Sequence, residues 1–408
     1  MRGVRVTVPL AVTASSCSFN RMDSPPQNLS FSDAFALQKS GNFQAAIDSY
    51  GAIVATTPGN ASAWNNLGNC LRSIGRFEDS AVCLRRALSL NPSRANYRLN
   101  LSLTLLSLGD YASAWSEYEA RLELIGHGAD IRAAAPGWRG EALSASETLL
   151  IYGNQGLGDE MQCLRYLPRV LDLAPHVVLE VQAPLRSLAN GFSGPASVIA
   201  RGEPRPCFHR QVEWFSLPGI FRTTRDSVPP PLVPQFEPDP AVVAEISRLR
   251  SLFPKHRHIG LVWSGSPHND LNPFRACGLE HMRPLLDLPD CRFYSLQLGP
   301  PRVDLERFES SQITDLAPWL TDLQATATAI TALDLVITTD TSVPHLAGTI
   351  GAETWLLLHD PADWRWQLER DHSPWYPSLK LFHQTRPRHW PGVIAEVRRS
   401  LESFATPV

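Results

Sequence analysis

A period of 34 residues runs through residues 27–128 and constrains this chain more than any other feature. Three registers carry it most clearly: Leu37, Leu71 and Leu105; Gly41, Gly75 and Gly109; and the aromatic set Phe43, Phe77 and Tyr111. Self-similarity at this spacing is typical of stacked helix-turn-helix units, which bury a continuous core only when neighbours pack together. The sequence therefore predicts three helical repeats, close to the minimum number for stability.

The middle copy resembles the tetratricopeptide repeat (TPR), because Trp64, Leu67, Gly68, Ala87 and Pro92 occupy the characteristic positions. Stacked repeats leave a concave face that usually holds a peptide or a partner protein. A rigid spacer that packs on the following domain is the alternative. The candidate acceptor-binding side chains on the first helices are Asn65, Asn66, Asn69, Arg72 and Asn100. They are either peptide contacts or ordinary solvated positions.

Composition excludes several classes of protein. Lys and Arg number 37 against 40 Asp and Glu, and the signs are interspersed, so binding to nucleic acid through phosphate neutralisation is not expected. No stretch of 18 apolar residues occurs, which predicts no membrane-spanning helix. The seven cysteines form no C-x-x-C pair and no zinc-like cluster. Buried thiols in a reducing cytoplasm are therefore expected.

Residues 1–26 are predicted to be a disordered or non-native tail. The apolar run from Val6 to Ala14 follows Arg2 and Arg5 but is short and interrupted by Pro9, which makes a poor secretory signal. A disordered segment and an upstream start are both compatible with this pattern.

The pattern changes to alternating strands and helices after a linker at 129–147. We predict a Rossmann-like lobe at 148–222, a proline-rich linker at 223–254, a second such lobe at 255–390 and a C-terminal helix and tail at 391–408. The expected strands are Thr148–Tyr152, Val177–Val181, Arg257–Trp263, Phe293–Gln297, Leu335–Thr338 and Thr354–Leu358. Two such lobes would place the carboxyl ends of their strands across a cleft, where ligands bind.

The first candidate site follows the strand at 148–152. Gly156 and Gly158 permit a tight turn and close approach of a ligand, and Asp159 lies at the predicted start of a helix. This aspartate either caps the helix or acts as a general base toward an acceptor in the cleft.

The second candidate site follows the strand at 335–338. Asp340, Thr341 and Ser342 stand at the strand end, and His345 lies one turn further on. Hydroxyl and backbone N–H groups there suit the phosphates of a nucleotide-sugar donor. Ser264 is a further donor-binding candidate, and Arg275, Arg365 and Arg370 are candidates for stabilising the departing phosphate.

The order of the motifs GNQGLGDEMQCLRYLP, HIGLVWSGSPHND, LDLVITTDTSVPHLAG, DWRW and SPWYP resembles bacterial TPR glycosyltransferases over roughly residues 27–400. Their catalytic part has the two-lobed GT-B fold and is similar to the heptosyltransferases of lipopolysaccharide synthesis. More distantly, the chain is similar to O-linked N-acetylglucosamine transferases. The fold class implied is α+α/β, with TPR helices followed by a double Rossmann-like domain.

The resemblance also implies roles for residues. Asp159 matches the proposed base, and Asp340, Thr341 and His345 match the motif that contacts the donor phosphates. Some family members transfer nonulosonic acids or other sugars to flagellin, so flagellin is the leading acceptor and a CMP-linked nonulosonic acid is one candidate donor. Departures from the family pattern are Asn154 in place of an acidic residue, Pro344 in place of a small one, and a long spacing from Asp270 to Arg275.

The chain contains no D-x-D motif, so we expect a transferase that needs no metal. Two other functions remain open at this stage. One is a TPR adaptor with a degenerate transferase domain. The other is a glycolipid transferase of the heptosyltransferase kind, although no basic amphipathic helix suited to a membrane surface is evident.

Overall fold

The computed structural model describes residues 30–405, apart from 127, 154, 193, 195–196, 270, 310 and 367–370. The predicted tail at 1–26 lies outside these residues. The chain divides into two compact units, of which the first ends at Leu108 and the second begins at Gly109.

The first unit is built of antiparallel helix pairs, as the repeat predicts. Its helices are α1 (Phe31–Lys39), α2 (Phe43–Thr56), α3 (Ala61–Ser73), α4 (Phe77–Leu90) and α5 (Ala95–Ser107). Asn60 caps α3 by accepting a hydrogen bond from the Ala63 N–H. A Cβ atom at Gly68 would lie 2.6 Å from Cγ of Leu84, so glycine at this repeat position is what allows α3 and α4 to pack closely.

The second unit contains two parallel sheets. The smaller one has the order β3-β2-β1-β4, and we call it and its helices the N-lobe. Its strands are β1 (Thr148–Tyr152), β2 (His176–Val181), β3 (Ser197–Ala200) and β4 (Arg210–Glu213). The first two were predicted from their apolar runs, and their parallel pairing is confirmed.

The larger sheet, with its helices, forms the C-lobe and has the order β10-β9-β8-β5-β6-β7. Its strands are β5 (Arg257–Val262), β6 (Cys291–Ser295), β7 (Ile313–Asp315), β8 (Leu335–Thr339), β9 (Thr354–Leu358) and β10 (Leu379–His383). Strands β8 and β5 lie next to each other at the centre of the sheet, so the residues that follow them are neighbours at its carboxyl edge.

Helices surround both sheets. They are α6 (Tyr111–Tyr118), α7 (Arg121–Leu124), α8 (Ala129–Ala134), α9 (Leu157–Cys163), α10 (Leu167–Leu171), α11 (Arg186–Ala189), α12 (Leu217–Ile220), α13 (Pro240–Leu252), α14 (Asn272–Arg275), α15 (Leu279–Leu286), α16 (Leu323–Ala332), α17 (Ser342–Thr349) and α18 (Trp390–Ala405). Short 3-10 turns join several of them. Among the described residues, no helix is long and apolar enough to span a membrane.

Both predicted linkers differ from the structure. Residues 240–252 form α13, because Pro240 has the backbone angle of a first helical residue and Asp239 caps the helix by accepting from the Ala241 and Val242 N–H groups. The segment 129–147 contains α8, and its Trp138 is buried with its backbone N–H bonded to the carbonyl of Gln211 in β4. Cys207 is exposed, which corrects the expectation that all cysteines are buried.

The third predicted repeat is divided between the two units. Its second helix, α6, packs within the second unit, where the Trp115 indole donates to the Thr223 carbonyl oxygen at 2.8 Å. The Tyr111 and Trp115 rings both contact the Trp364 ring edge to face, with centroids 5.9 Å apart. The predicted repeat domain ends at residue 128, whereas the second compact unit already begins at Gly109.

Candidate functional site

The glycine-rich turn leads from β1 into α9 at the carboxyl edge of the N-lobe sheet. Oδ2 of Asp159 accepts a hydrogen bond from the Gly156 N–H at 2.8 Å. The capping role considered for Asp159 is thus present in the structure. Its other oxygen, Oδ1, accepts from Nη2 of Arg365 at 2.6 Å, so the same carboxylate also reaches the C-lobe.

Gly158 brings the two candidate motifs together. A Cβ atom at this residue would lie 2.4 Å from Cδ2 of His345, so only glycine allows α9 to approach α17 this closely. His345 is buried, and its Nδ1 shares a hydrogen bond of 3.0 Å with the Tyr376 hydroxyl. Burial lowers the pKa of His345 well below its usual value, so the imidazole is neutral at physiological pH.

Alternating charges form a continuous row that links the C-lobe to the N-lobe. Asp340 Oδ2 lies 3.4 Å from Nε of Arg275, and Arg275 Nη2 lies 3.6 Å from Oδ2 of Asp363. Oδ1 of Asp363 accepts from Nη1 of Arg365 at 2.8 Å, and Arg365 in turn contacts Asp159. We call these five residues, Asp340, Arg275, Asp363, Arg365 and Asp159, the cleft charge chain.

The pKa shifts follow from this arrangement. Burial raises the pKa of Asp340, and the neighbouring Arg275 only partly opposes that rise. For Asp363, burial also acts to raise the pKa, but Arg365 and Arg275 outweigh it and lower the value to about 2. Asp363 is therefore a carboxylate at any physiological pH.

Several buried polar atoms at this edge of the C-lobe lack hydrogen-bond partners among the described residues. They are Thr339 Oγ1 at the end of β8, Asp340 Oδ2 after it, His359 Nδ1 after β9 and Arg275 Nε in α14; the Asp340 and Arg275 atoms form an ion pair at 3.4 Å but no hydrogen bond. Buried polar groups in folded proteins are almost always hydrogen-bonded, so such a group of atoms without hydrogen bonds is a candidate ligand site. It offers both donors and acceptors.

The remaining predicted donor-binding residues lie at the start of α17 and in the loop after β5, at the carboxyl edge of the C-lobe sheet. Thr341 caps α17 by accepting from the Val343 N–H at 3.1 Å, and Ser342 is the first residue of that helix. The Ser264 hydroxyl accepts from the amide of Asn272, the first residue of α14, at 3.2 Å. A Cβ at Gly265 would lie 3.5 Å from Thr341, so the loop after β5 lies against the start of α17.

Pro344 does not interrupt α17. It is the third residue of the helix, where a backbone N–H has no intrahelical acceptor to lose. The other two departures involve Asn154 and Asp270, which lie outside the described residues, as does the phosphate candidate Arg370.

The repeat asparagines lie in the first unit and bond mainly to one another. Asn100 donates to Oδ1 of Asn65 at 2.9 Å, Asn65 donates to Asn66, and Asn66 donates to the Tyr50 hydroxyl. Asn65 is buried, so it orients its neighbours rather than facing a ligand. Asn66, Asn69, Arg72 and Asn100 are partly exposed, and their role as acceptor contacts stays a prediction.

Sequence reasoning overlooked Asp363 and gave Arg365 only a secondary place. The run DWRW was the available signal, but its tryptophans suggested packing. In the structure, Arg365 is buried, its guanidinium lies 4.4 Å from the Trp364 ring centroid, and its Nε donates to Gln162 at 2.7 Å. Although burial opposes protonation, Asp363 and Asp159 raise the pKa of Arg365, so it is permanently charged.

Comparisons with known proteins agree with this architecture. Residues 61–94 match the tetratricopeptide repeat family. This segment of the chain is similar to one tetratricopeptide repeat. The second unit of the chain contains a four-stranded and a six-stranded parallel sheet, each with helices packed around it.

Among curated proteins, the chain is 26% identical to protein FlbA of Caulobacter vibrioides, over 91% of this chain and 72% of FlbA. The BBSome complex member BBS4 homolog of Drosophila melanogaster is 32% identical, but only over 27% of this chain and 22% of its own length. Among solved structures, E. coli ADP-heptose LPS heptosyltransferase II gives a TM-score of 0.45 at 14% identity, covering 63% of this chain and 98% of that one.

Proposed function

We propose that this protein is a metal-independent glycosyltransferase that moves a sugar from a nucleotide-sugar to a Ser or Thr hydroxyl of a protein held by the repeats. The observation that supports this most is the group of buried polar atoms without hydrogen bonds at the carboxyl edge of β8 and β9. A phosphorylated sugar, which carries both hydroxyl donors and oxygen acceptors, would satisfy them.

The proposed reaction needs only groups that the cleft contains. Asp159 takes the proton from the acceptor hydroxyl, whose oxygen forms a new bond to the anomeric carbon of the sugar. The bond from that carbon to the donor phosphate oxygen breaks, and its electron pair leaves with the phosphate. Arg275 and the N–H groups at the start of α17 stabilise the negative charge that develops there. In this proposal, these groups take the role that a divalent metal has in other transferases.

The repeats supply the protein acceptor in this proposal. Partly exposed amides such as Asn66 and Asn100 suit the backbone of an extended peptide, which presents both N–H and C=O groups. We propose flagellin as the acceptor, on the family resemblance, and a cytoplasmic site of action. Asn100→Ala is expected to weaken acceptor binding and to leave nucleotide binding unchanged.

A nucleotide screen tests the donor site. We would measure the thermal unfolding of the full chain with millimolar CMP, UDP, GDP and ADP, since stabilisation follows RT ln(1 + [L]/Kd). One nucleotide should raise the melting temperature of the wild type and of Asp315→Ala, whose carboxylate pairs with Arg302 outside the charge chain. In Asp340→Ala and the milder Asp340→Asn, the nucleotide should no longer raise the melting temperature, and the matching nucleotide-sugar should no longer be turned over.

Two results would refute the proposal. Equal stabilisation and turnover in wild type and both Asp340 variants would remove the donor site from β8. The absence of any nucleotide effect on the folded wild type would favour the adaptor function instead.

A further inference from the structure

Arg365 holds a position in the cleft that the proposed reaction does not yet use. It contacts Asp159 and Gln162 of the N-lobe and Asp363 of the C-lobe, and Phe215 lies 5.2 Å from its guanidinium carbon. It is thus a permanent, buried cation between the residue proposed as the base and the edge proposed for the donor phosphates.

The cleft charge chain has no excess positive charge with which to bind another anion. Three carboxylates face two guanidiniums, so the five side chains carry a net charge of −1 when all are ionised. A phosphorylated ligand brings further negative charge. It can therefore bind beside the chain only if a guanidinium exchanges one of its carboxylates for a phosphate oxygen.

Burial decides which carboxylate is the easiest to displace. Asp340 and Asp363 have 5% and 20% of their side chains exposed and lie within the C-lobe, whereas Asp159 has 25% exposed and lies across the cleft. After release, Asp159 keeps its hydrogen bond from the Gly156 N–H, and water can solvate its free oxygen. Asp363 would lose contacts to two arginines at once, which makes its displacement costlier.

We propose that Arg365 is an anion-binding residue that exchanges the Asp159 carboxylate for a phosphate oxygen of the donor. Binding of the donor would then release Oδ1 of Asp159 for the acceptor proton. This makes the base available only after the donor is in place, and the order of binding is donor first, acceptor second. The role in catalysis rests on the proposed function, but the exchange itself is a statement about anion binding.

Inorganic pyrophosphate is a suitable probe, because it tests the phosphate site without any choice of base or sugar. We would measure its affinity for the full chain by isothermal titration calorimetry at fixed ionic strength. Asp159→Asn removes the competing carboxylate and should tighten binding by about fivefold. Arg365→Met should weaken it by about tenfold or more, since a charge-assisted pair is lost.

Controls separate exchange from general electrostatics. Glu245→Gln removes one negative charge from an exposed pair with Arg248 and should leave the affinity within twofold. The double variant Asp159→Asn with Arg365→Met should show no gain over Arg365→Met alone, because the gain requires the freed guanidinium. Arg365→Lys keeps the charge and serves where the Met variant does not fold; its affinity should lie between those of wild type and Arg365→Met.

Three outcomes would overturn the proposal: pyrophosphate affinity unchanged in Asp159→Asn, an equal gain in the double variant, or affinities of both Arg365 variants within twofold of wild type. The proposed function fails separately, if the wild type turns over no nucleotide-sugar. In that case pyrophosphate binding that is weakened in the Arg365 variants and tightened in Asp159→Asn would still support the exchange.

Discussion

The ion pair between Arg121 and Glu213 offers the sharpest test of how α7 is held against β4 of the N-lobe. Arg121 is 1% exposed and Glu213 is 2% exposed. The guanidinium donates through Nε and Nη2 to Oε2 of Glu213, and through Nη2 to the Ser216 hydroxyl at 2.9 Å. Arg121→Met keeps most of the side-chain volume but leaves the Glu213 carboxylate buried without its counter-ion.

The expected loss is large because one charge remains buried. Removing one partner of a buried pair costs about 3–5 kcal/mol, far more than the pair itself contributes. Burial already raises the pKa of Glu213 against the opposing effect of Arg121, and the variant should raise it further. A raised carboxyl pKa means that stability is lost as pH rises through that value. The difference between variant and wild type should therefore shrink on acidification.

Calorimetric unfolding of the full chain measures the loss of stability in Arg121→Met. Arg121→Met should lower the melting transition of the second unit by roughly 10 °C and leave that of the repeats unchanged. Adding Glu213→Gln should recover part of the loss. Arg210→Met is the matched control, since its guanidinium is partly exposed and lies 3.3 Å from Glu147, and its loss should cost less than about 1 kcal/mol. If Arg121→Met and Arg210→Met unfold at the same temperature, the reasoning on buried charge is wrong.

Two further predictions concern the cleft. Gly158→Ala should destabilise the second unit by about 1–3 kcal/mol in denaturant titrations, because its methyl group would collide with the buried His345 ring. The control Gly59→Ala should be neutral, since there is open space around Gly59. Equal effects of the two substitutions would contradict the close packing of α9 and α17. Burial and Arg275 lower the pKa of His359 to about 4, so the folded state resists a proton that the unfolded chain accepts below about pH 6.5. Stability should fall as pH drops from 6.5 toward 4, and His359→Asn should flatten that slope by about one proton; an unchanged slope would show that His359 is not the responsible group.

The parts of the fold that the sequence predicts well are those with a local signal. Strands β1 and β9 have the predicted bounds, because buried parallel strands are short apolar runs between turns. Strands β3, β4, β7 and β10 were missed. Their residues, such as Arg210 and Gln211 in β4, include polar side chains, and only their partners in the sheet make them strands.

The site was only partly predictable for a different reason. Asp159 and Asp340 were recognisable because each follows a strand in a motif of its own. The pair between Asp159 and Arg365 joins residues 206 positions apart, and no periodicity or turn signal relates them. That pairing changes the interpretation of Asp159: the proposed base is not isolated but is held by a cation of the opposite lobe.

The run DWRW shows why such a motif resists interpretation from sequence. Its Trp364 ring packs against Tyr111 and Trp115 of α6, while the neighbouring Arg365 side chain reaches Asp159 across the cleft. The next residue, Trp366, lies with its ring 5.2 Å from that of His345 in α17. Three consecutive side chains thus contact α6, the N-lobe and α17 of the C-lobe. A change in how α6 packs on Trp364 would therefore act directly on the residue beside it, which is the cation that holds the proposed base.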